Sequence, residues 1–413
     1  MKESGEMLRH FAFFEELGRI DENDPAWRSV TAGLVLMRLV DEWIDVGPGA
    51  ARPDAWSVSA VREAVAEVSE TTPLRRILTG ILDTMVASPT VDTHALSPRL
   101  MAYGQTLEYD AKWSLAVDVY RTIVAHTDPV EDADLAISAF IQLGFCLRTM
   151  GELDQAAVAY EHASEVAQAA GDMIGVLRGR LGDVKIAVAR GNMPYAESIL
   201  DETIARAQSN GLNDICGNAL RERAYVAGLR GQHDLAVRYA YDALELTVSP
   251  RDRDRTLGNI ATGFRYLGLA DVARDAYLVL ATTAQEQYVR WLSELNLMEL
   301  AAEQGLELQF DKYRRDLESA DFTPMLRITY LLHVGRGYHS LGAADTGIPY
   351  LERAIELASK HKLNQVLFEA EGALANAKRH EHRAKSPTTP YVDSSIQTVI
   401  DGVHQLKEMA GLA

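Results

Sequence analysis

Glycine returns along this 413-residue chain at nearly fixed intervals, each time between two segments with helical character. Glycine ends a helix easily because it adopts the left-handed backbone conformation without a steric penalty. Successive glycines lie 40, 40, 37, 37 and 37 residues apart, and Ala111 stands 40 residues before the first. A repeat of this length predicts an array of helical hairpins in which each unit packs mainly against its neighbours. These glycines are Gly151, Gly191, Gly231, Gly268, Gly305 and Gly342.

Two further positions repeat with the turns. A small residue five positions after a turn lets the two helices of a hairpin approach closely, and a large residue nine positions after it fills the space beside them. The small residues are Ala116, Ala156, Ala196, Ala236, Ala273 and Gly347. The large residues are Tyr120, Tyr160, Leu200, Tyr277 and Leu351. The unit at 231 departs with Ala240, and the unit at 305 breaks both rules with Phe310 and Arg314.

Segments 143–163 and 260–280 show the pattern best, and they resemble the tetratricopeptide repeat (TPR) family. The order Leu143-Gly144, Gly151, Ala156, Tyr160 and Ala163 matches that family's small, glycine and aromatic positions. The resemblance covers about 97–360 and is weaker at 178–208 and 285–320. It implies an all-α fold, a right-handed superhelical solenoid of helical hairpins with an N-terminal helical cap or bundle. Units longer than the family's usual length of about 34 residues are typical of TPR receptors for signalling peptides.

The predicted organisation has four parts. Residues 1–95 form an N-terminal helical cap or effector bundle, and 96–383 form a solenoid of about seven repeats. Residues 384–390 are a linker, and 391–413 form an amphipathic C-terminal helix that either packs back on the solenoid or pairs with another chain. The apolar face of that last helix is Ile396, Val399, Ile400, Val403 and Leu406.

The N-terminal region lacks the repeat and reads as about four helices, separated at Asn23–Pro25, Gly47–Pro53 and Thr71–Pro73. It either shields the first repeat, as solenoids require, or contacts an effector. The segments 57–69 and 73–87 have the spacing of a helix-turn-helix. However, residues 1–90 hold 9 basic against 15 acidic side chains, a balance that disfavours DNA binding.

The composition restricts which classes of partner the protein can bind and in which cellular compartment we expect it. The chain has 41 basic and 59 acidic side chains, a formal net charge of −18, which disfavours nucleic acid and anionic membranes. It has 2 cysteines without metal-like spacing, no signal-peptide pattern and no apolar run of about 18 residues. We therefore expect a cytoplasmic protein that does not enter the membrane.

Catalytic motifs are missing from the sequence, so we expect neither an enzyme nor a cofactor. The two histidines of His380-Glu381-His382 are the best candidates for a pair of metal ligands in the sequence. Residues two apart on a helix point to different faces, and the neighbouring residues are Arg379 and Arg383. A solvated helix end is the better interpretation, so no metal site is predicted.

In a TPR array, one face of the first helices lines the concave groove. By this resemblance the groove holds seven basic side chains against the acidic Glu108, Glu222 and Glu299, which reverses the balance of the whole chain. Such a cationic wall would favour an anionic ligand. Amides at Asn259 and Asn296 could pair with the backbone of an extended peptide. The predicted site is Arg148, Arg178, Lys185, Arg221, Tyr225, Arg255, Asn259, Arg265, Asn296, His333 and Arg336.

Three tyrosines, Tyr225, Tyr266 and Tyr338, fall near the groove and either contact a ligand or fill the core. The expected function is an adaptor that binds a protein or peptide segment, with arginines holding carboxylates. Two alternatives stay open. One is a ligand-switched, peptide-sensing regulator that acts through residues 1–95. The other is a structural scaffold or homo-oligomer joined by the C-terminal helix.

Overall fold

The computed structural model describes residues 9–45, 55–87, 92–379 and 394–412, and this part of the chain contains helices and no strand. The all-α prediction is confirmed. The helices are α1 (Phe11–Leu17), α2 (Pro25–Asp45), α3 (Ala55–Glu67), α4 (Pro73–Ala87), α5 (Thr93–Tyr109), α6 (Trp113–His126), α7 (Ala133–Thr149), α8 (Leu153–Ala170), α9 (Met173–Ala189), α10 (Met193–Ser209), α11 (Asn213–Leu229), α12 (His233–Leu246), α13 (Pro250–Tyr266), α14 (Ala270–Thr283), α15 (Gln287–Glu303), α16 (Glu307–Glu318), α17 (Pro324–Ser340), α18 (Ala344–Lys360), α19 (Asn364–Lys378) and α20 (Ser394–Met409).

The chain divides into two compact units. One contains Met1–Leu147 and Glu161–Gly175, and the other contains Arg148–Tyr160 and Val176–Ala413. Within each unit, helices that follow one another in the sequence pack against one another. This consecutive packing is the arrangement expected of an all-α solenoid.

A helical hairpin stands at each of the seven predicted turns, and the turn residue always has a positive φ. Ala111 has a φ of 58°, and the six glycines have values from 74° to 88°. The first helix of every hairpin has 17 residues. The second helix has 18 residues in α8 and 17 in α10, but 14 in α12 and α14. Between Gly151 and Gly305, the change in repeat length from 40 to 37 therefore coincides with shorter second helices, whereas α6 has 14 residues in a 40-residue repeat.

The small and large positions of the repeat pack as the pattern predicts. Ala156, Ala196 and Ala273 are fully buried, and so are Tyr277 and Leu351 to within 1%. In the unit at 305, Phe310 occupies the usually small position and is also buried. Gly337 makes room for it, because a Cβ atom there would lie 2.2 Å from the Phe310 ring.

In the first unit, α1 and α2 pack against α6, and α4 packs against α5. In α2, Val30, Leu34 and Met37 are buried while Trp27 and Ile44 are half-buried. The predicted breaks before α2 and α4 are present. The break at Gly47–Pro53 lies in residues that the structure does not describe, as do His380-Glu381-His382 and the linker 384–390.

In the second unit, each first helix contacts the next one from α11 to α19. The C-terminal helix α20 packs on α14 and α12, the shortened second helices. Its residues Ile396, Val399, Ile400 and Val403 belong to the same apolar core as α13 and α14. This apolar face is therefore covered by the chain itself, and pairing with a second chain through it would require α20 to leave α14.

None of the helices in the described part of the chain has both the length and the apolar character that a membrane crossing needs. Cys146 and Cys216 are buried, and neither is in a disulfide.

Candidate functional site

All eleven residues of the predicted site lie in the second unit, and most of them lie on one face of its first helices. We call this face, which carries Lys185, Glu222, Arg255, Glu299 and Arg336, the inner face. Its charged side chains are joined from helix to helix by ion pairs, which together we call the ion-pair ladder.

The ladder begins between α9 and α11. The Lys185 Nζ lies 3.8 Å from a carboxylate oxygen of Glu222, beyond hydrogen-bond distance. Arg221, also on α11, donates to Glu222 at 3.1 Å. It also donates to Asp252 in the first turn of α13. One arginine thus joins its own helix to the next first helix.

Glu286, which precedes α15, forms ion pairs with two arginines of α13. The Arg251 Nε lies 2.5 Å and the Arg255 Nε 2.9 Å from its carboxylate oxygens. The Glu286 side chain is only 1% exposed. A carboxylate this deeply buried is stable only because both guanidinium groups compensate its charge.

The ladder continues from α13 to α19. Arg265 donates to Glu299 at 2.8 Å and to Glu303 at 2.6 Å. Arg336 lies 3.8 Å from Glu299 and donates to Glu369 of α19 at 3.2 Å. Burial alone would raise the pKa of Glu299, but the charges of Arg265, His333 and Arg336 hold it well below its usual range.

Two of the predicted peptide-binding side chains join neighbouring helices. The Asn259 amide donates to the Arg221 carbonyl at 3.0 Å, and the His333 Nδ1 lies 3.2 Å from the Leu295 carbonyl oxygen. Both contacts span 38 residues. The Asn296 amide instead donates to Leu292 in its own helix. These bonds occupy donors that the sequence had assigned to a ligand.

Lys185 and Tyr225 differ from the other site residues because their polar atoms are not held by hydrogen bonds within the described chain. The Tyr225 side chain is 45% exposed, and Lys185 is half-buried. Burial lowers the pKa of Lys185 to about 8, while the charge of Glu222 raises it and the charges of Arg221, Arg148 and Arg255 lower it. An anion bound beside the lysine would favour its charged form.

Arg148 and Arg178 complete the predicted site, at the end of α7 and on α9. The charges of Tyr160, Tyr288 and Glu222 favour the charged form of the Arg148 guanidinium. The charges of Glu369 and Arg148 act on the Tyr225 hydroxyl. These groups come from helices that are not adjacent in the sequence, so their charges influence one another across the inner face.

Four carboxylates of the ladder were missed by the sequence analysis, although it placed Glu222 and Glu299 in the groove. Asp252 and Glu286 lie at the start of a helix rather than on the positions that the resemblance assigns to the groove. Glu303 lies at the end of α15, and Glu369 lies on α19, after the last of the seven predicted hairpins. A regular separation of 31 residues between Arg221 and Asp252, and between Arg255 and Glu286, was the available signal.

The second unit also contacts itself across a large sequence separation, at what we call the seam. In the turn before α19, the Lys362 Nζ lies 2.9 Å from Asp154. Asn364 donates to the Arg190 carbonyl at 3.3 Å, across 174 residues. Phe368 packs against Gly191, where a Cβ atom would lie 3.2 Å from the ring. The hairpins between Arg190 and Asn364 therefore form a closed circuit.

A different charged cluster stands in the first unit. His10, at the start of α1, has its Nε2 3.1 Å from Asp41 of α2 and its Nδ1 3.2 Å from Asp118 of α6. His10 is 3% exposed and has a φ of 60°. Arg9 donates to Asp41 at 3.2 Å, and His126 lies 3.7 Å from it. The cluster holds three helices of the first unit together.

Protonation of His10 is favoured by this environment. Burial alone would lower its pKa, but hydrogen bonds to Asp118 and Asp41 raise it to about 9. Burial would likewise raise the pKa of Asp41, but the interactions with His10, His126 and Arg9 hold it below its usual range. The cluster is therefore charged at neutral pH.

Within the described residues, no group of three or more histidine, cysteine, aspartate or glutamate side chains could hold a metal ion. No protein-family model matches the chain, and no curated protein is significantly similar to it. The resemblance to tetratricopeptide repeats therefore stays a prediction that rests on the repeat positions themselves.

The ladder predicts a large cost for removing Glu286. The Glu286→Gln variant removes the buried carboxylate that two guanidinium groups share, and we expect its free energy of unfolding to fall by about 3 kcal/mol. The matched control is Glu352→Gln, whose exposed pair with Lys378 at 3.1 Å contributes less than about 1 kcal/mol. Urea unfolding of both variants measures the difference. Equal losses would show that the ladder does not stabilise the second unit.

The His10 cluster predicts a loss of stability at alkaline pH. Because the folded state raises the pKa of His10 from 6.5 to about 9, its contribution is complete below 6.5 and is lost as pH rises through 9. We expect wild type to lose up to about 3 kcal/mol over this range relative to His10→Gln. Urea unfolding at pH 6 and pH 9.5 tests this. The comparison isolates His10 because other groups titrate equally in both proteins, and identical pH profiles would contradict the assignment.

Proposed function

We propose that the second unit binds a short peptide or a free chain end on its inner face. The observation that carries this proposal is the pair of available groups at Lys185 and Tyr225. Among the described residues, the lysine ammonium has no acceptor within hydrogen-bond distance, and the tyrosine offers a rigid ring and a polar tip. Both groups lie on first helices of the second unit.

The ion-pair ladder supports binding by fixing the side chains around these groups. Side chains already held by neighbours lose little rotamer freedom when a ligand arrives, so less binding free energy is spent on ordering them. Arg336 donates one terminal nitrogen to Glu369, and its other terminal nitrogen lies 3.8 Å from Glu299, beyond hydrogen-bond distance. An extended peptide, with alternating carbonyl and amide groups, suits such a surface.

The basic side chains of the inner face are already paired with carboxylates, and these ion pairs change the charge that we expect the ligand to carry. Lys185, Arg221, Arg255, Arg265 and Arg336 each lie within 4 Å of a carboxylate. A uniformly acidic segment, as the sequence suggested, would therefore compete with carboxylates already in place. A ligand with both donors and acceptors is the better proposal.

The closed circuit supports a short ligand or a free end. A segment with folded protein at both ends could thread through the circuit only if the seam opened, whereas a free chain end could thread through it without breaking the seam. We keep the cytoplasm as the proposed location, because Cys146 and Cys216 are buried outside any disulfide.

Replacement of the two available groups tests the proposal. We expect short peptides to co-purify with wild type from its host and to be lost at least tenfold from the double variant Lys185→Gln, Tyr225→Ala, since a tenfold change corresponds to about 1.4 kcal/mol. The matched control is Lys360→Gln, Tyr195→Ala, which changes exposed residues on second helices. Denaturing elution and mass spectrometry measure the peptides. Equal recovery of peptides from all three proteins would contradict peptide binding on the inner face.

A second candidate is a ligand-switched regulator, and the seam is the observation that favours it. Lys362 and Asp154 are 73% and 67% exposed. An ion pair this exposed contributes at most about 1 kcal/mol, so the circuit is held by weak contacts that a ligand could break or strengthen.

The seam can be opened by one substitution if this candidate is correct. Lys362→Glu places a carboxylate against Asp154, and we expect the radius of gyration to increase in small-angle X-ray scattering. Lys360→Glu, on the exposed face of α18, makes the same charge change away from the seam and should leave the radius unchanged. A variant as compact as wild type would rule out the seam as a switch.

A further inference from the structure

The C-terminal helix α20 lies on a surface that is built from two second helices, α14 and α12. We call the surface of α12 and α14 that α20 covers the α20 site. Four apolar side chains of α20 are buried there, in the core that also contains α13 and α14, and their spacing places them on one face of the helix. These four side chains are Ile396, Val399, Ile400 and Val403.

An ion pair fixes the charge and the register of the helix on the α20 site. The Lys407 Nζ lies 3.2 Å from the Asp275 Oδ1 of α14. Asp275 is 7% exposed, and the Arg274 Nε approaches the same oxygen only to 3.9 Å. Val272 and Val279, one helical turn before and after Asp275, are buried. A carboxylate buried between two apolar side chains favours a cation on whichever helix covers it.

The sequence of α20 is poorly suited to form a helix without this site. The helix has 16 residues, and isolated helices of about this length are marginal in water. The four residues of its buried face are all β-branched, and Gly402 lies among them, which lowers the helix propensity further. The α20 site therefore holds α20 in its helical form, and release of α20 restores chain entropy.

The α20 site has room for a better helix than α20. A Cβ atom added at Gly402 would meet no neighbouring atom within 4 Å, so alanine fits there. Thr398 is exposed, so alanine fits at this position as well. Alanine has the highest helix propensity. A separate helix with both alanines would lose less entropy on docking, which offsets the high local concentration that α20 has as part of the same chain.

We propose that the α20 site is a docking surface for an amphipathic helix of a partner protein, and that α20 is an internal ligand that this helix displaces. The partner helix carries four apolar residues with the spacing of α20 and a lysine or arginine four residues after the last of them, opposite Asp275. Because the α20 site lies on second helices, this proposal is independent of peptide binding on the inner face.

Hydrogen exchange of the wild-type protein tests the displacement. The probe is a synthetic peptide of residues 394–412 with Thr398→Ala and Gly402→Ala. With the peptide in excess, we expect the amides of α20 to exchange at least about tenfold faster, while those of α14 stay protected because the peptide covers the same surface. The same peptide with Lys407→Glu is the matched control. It brings a carboxylate against Asp275 and should leave the exchange of α20 unchanged.

A variant that releases α20 tests binding directly. Val399→Asp with Val403→Asp places two charges on the buried face of α20, and we call this protein the released variant. In fluorescence anisotropy, the labelled peptide should bind the released variant at least about tenfold more tightly than wild type, because α20 no longer competes. Thr398→Asp with Gln405→Asp adds the same charges on the exposed face of α20 and should bind the peptide like wild type.

Exchange of the two charges distinguishes docking at the α20 site from non-specific apolar binding. When Asp275→Lys is added to the released variant, we expect the preference to reverse. The peptide with Lys407→Glu should then bind at least about tenfold more tightly than the peptide that keeps the lysine.

Two outcomes would overturn the proposal. Unchanged exchange of the α20 amides in wild type with the peptide in excess would show that α20 is a permanent part of the fold, and this result does not depend on the folding of any variant. Concentration-dependent dimers of wild type that are lost in the released variant would show that the α20 site takes the helix of a second copy of this chain instead of a partner protein.

Discussion

The fixed length of the first helices is the constraint on which the second unit depends. Each first helix has 17 residues and ends in a residue with positive φ, so the same face of each helix returns at the same height in the next hairpin. Asn259 to Arg221, Arg265 to Glu303 and His333 to Leu295 all span 38 residues. The variable second helices absorb the differences in repeat length without disturbing this register.

The ladder contributes more to register than to net stability. Transfer of charged groups from water is costly, and a well-formed buried pair often does little more than offset that cost. A shifted register would be much less stable, because Glu286 or Arg265 would then be buried without a partner, at a cost of several kcal/mol. Alternative packings of the same apolar helices are thereby disfavoured, which leaves the inner-face side chains in one arrangement.

The local pattern of the sequence was sufficient to predict the hairpins but not the pairing on their faces. Turn residues, and small residues such as Ala273, act within one hairpin, so their period is visible in the chain. Glu369 became part of the site through packing of α19 on α17, and Asn364 met Arg190 across 174 residues. His10 and Asp118 lie 108 residues apart. Contacts at such separations follow from the sum of many small rotations between helices, which no spacing rule encodes.

Existing pairs also limit the charge of any ligand on the inner face. A ligand with only negative charge would meet the carboxylates that already pair with the arginines, and at short range in a partly desolvated site such repulsion costs as much as attraction gains. A ligand that offers no acceptor would leave the Lys185 ammonium partly desolvated and without a hydrogen-bonded acceptor among the described residues. A ligand that brings an acceptor to Lys185 and donors to the carboxylates meets both conditions, because Glu222, Glu299 and their arginines then keep the pairs that hold the helices in register.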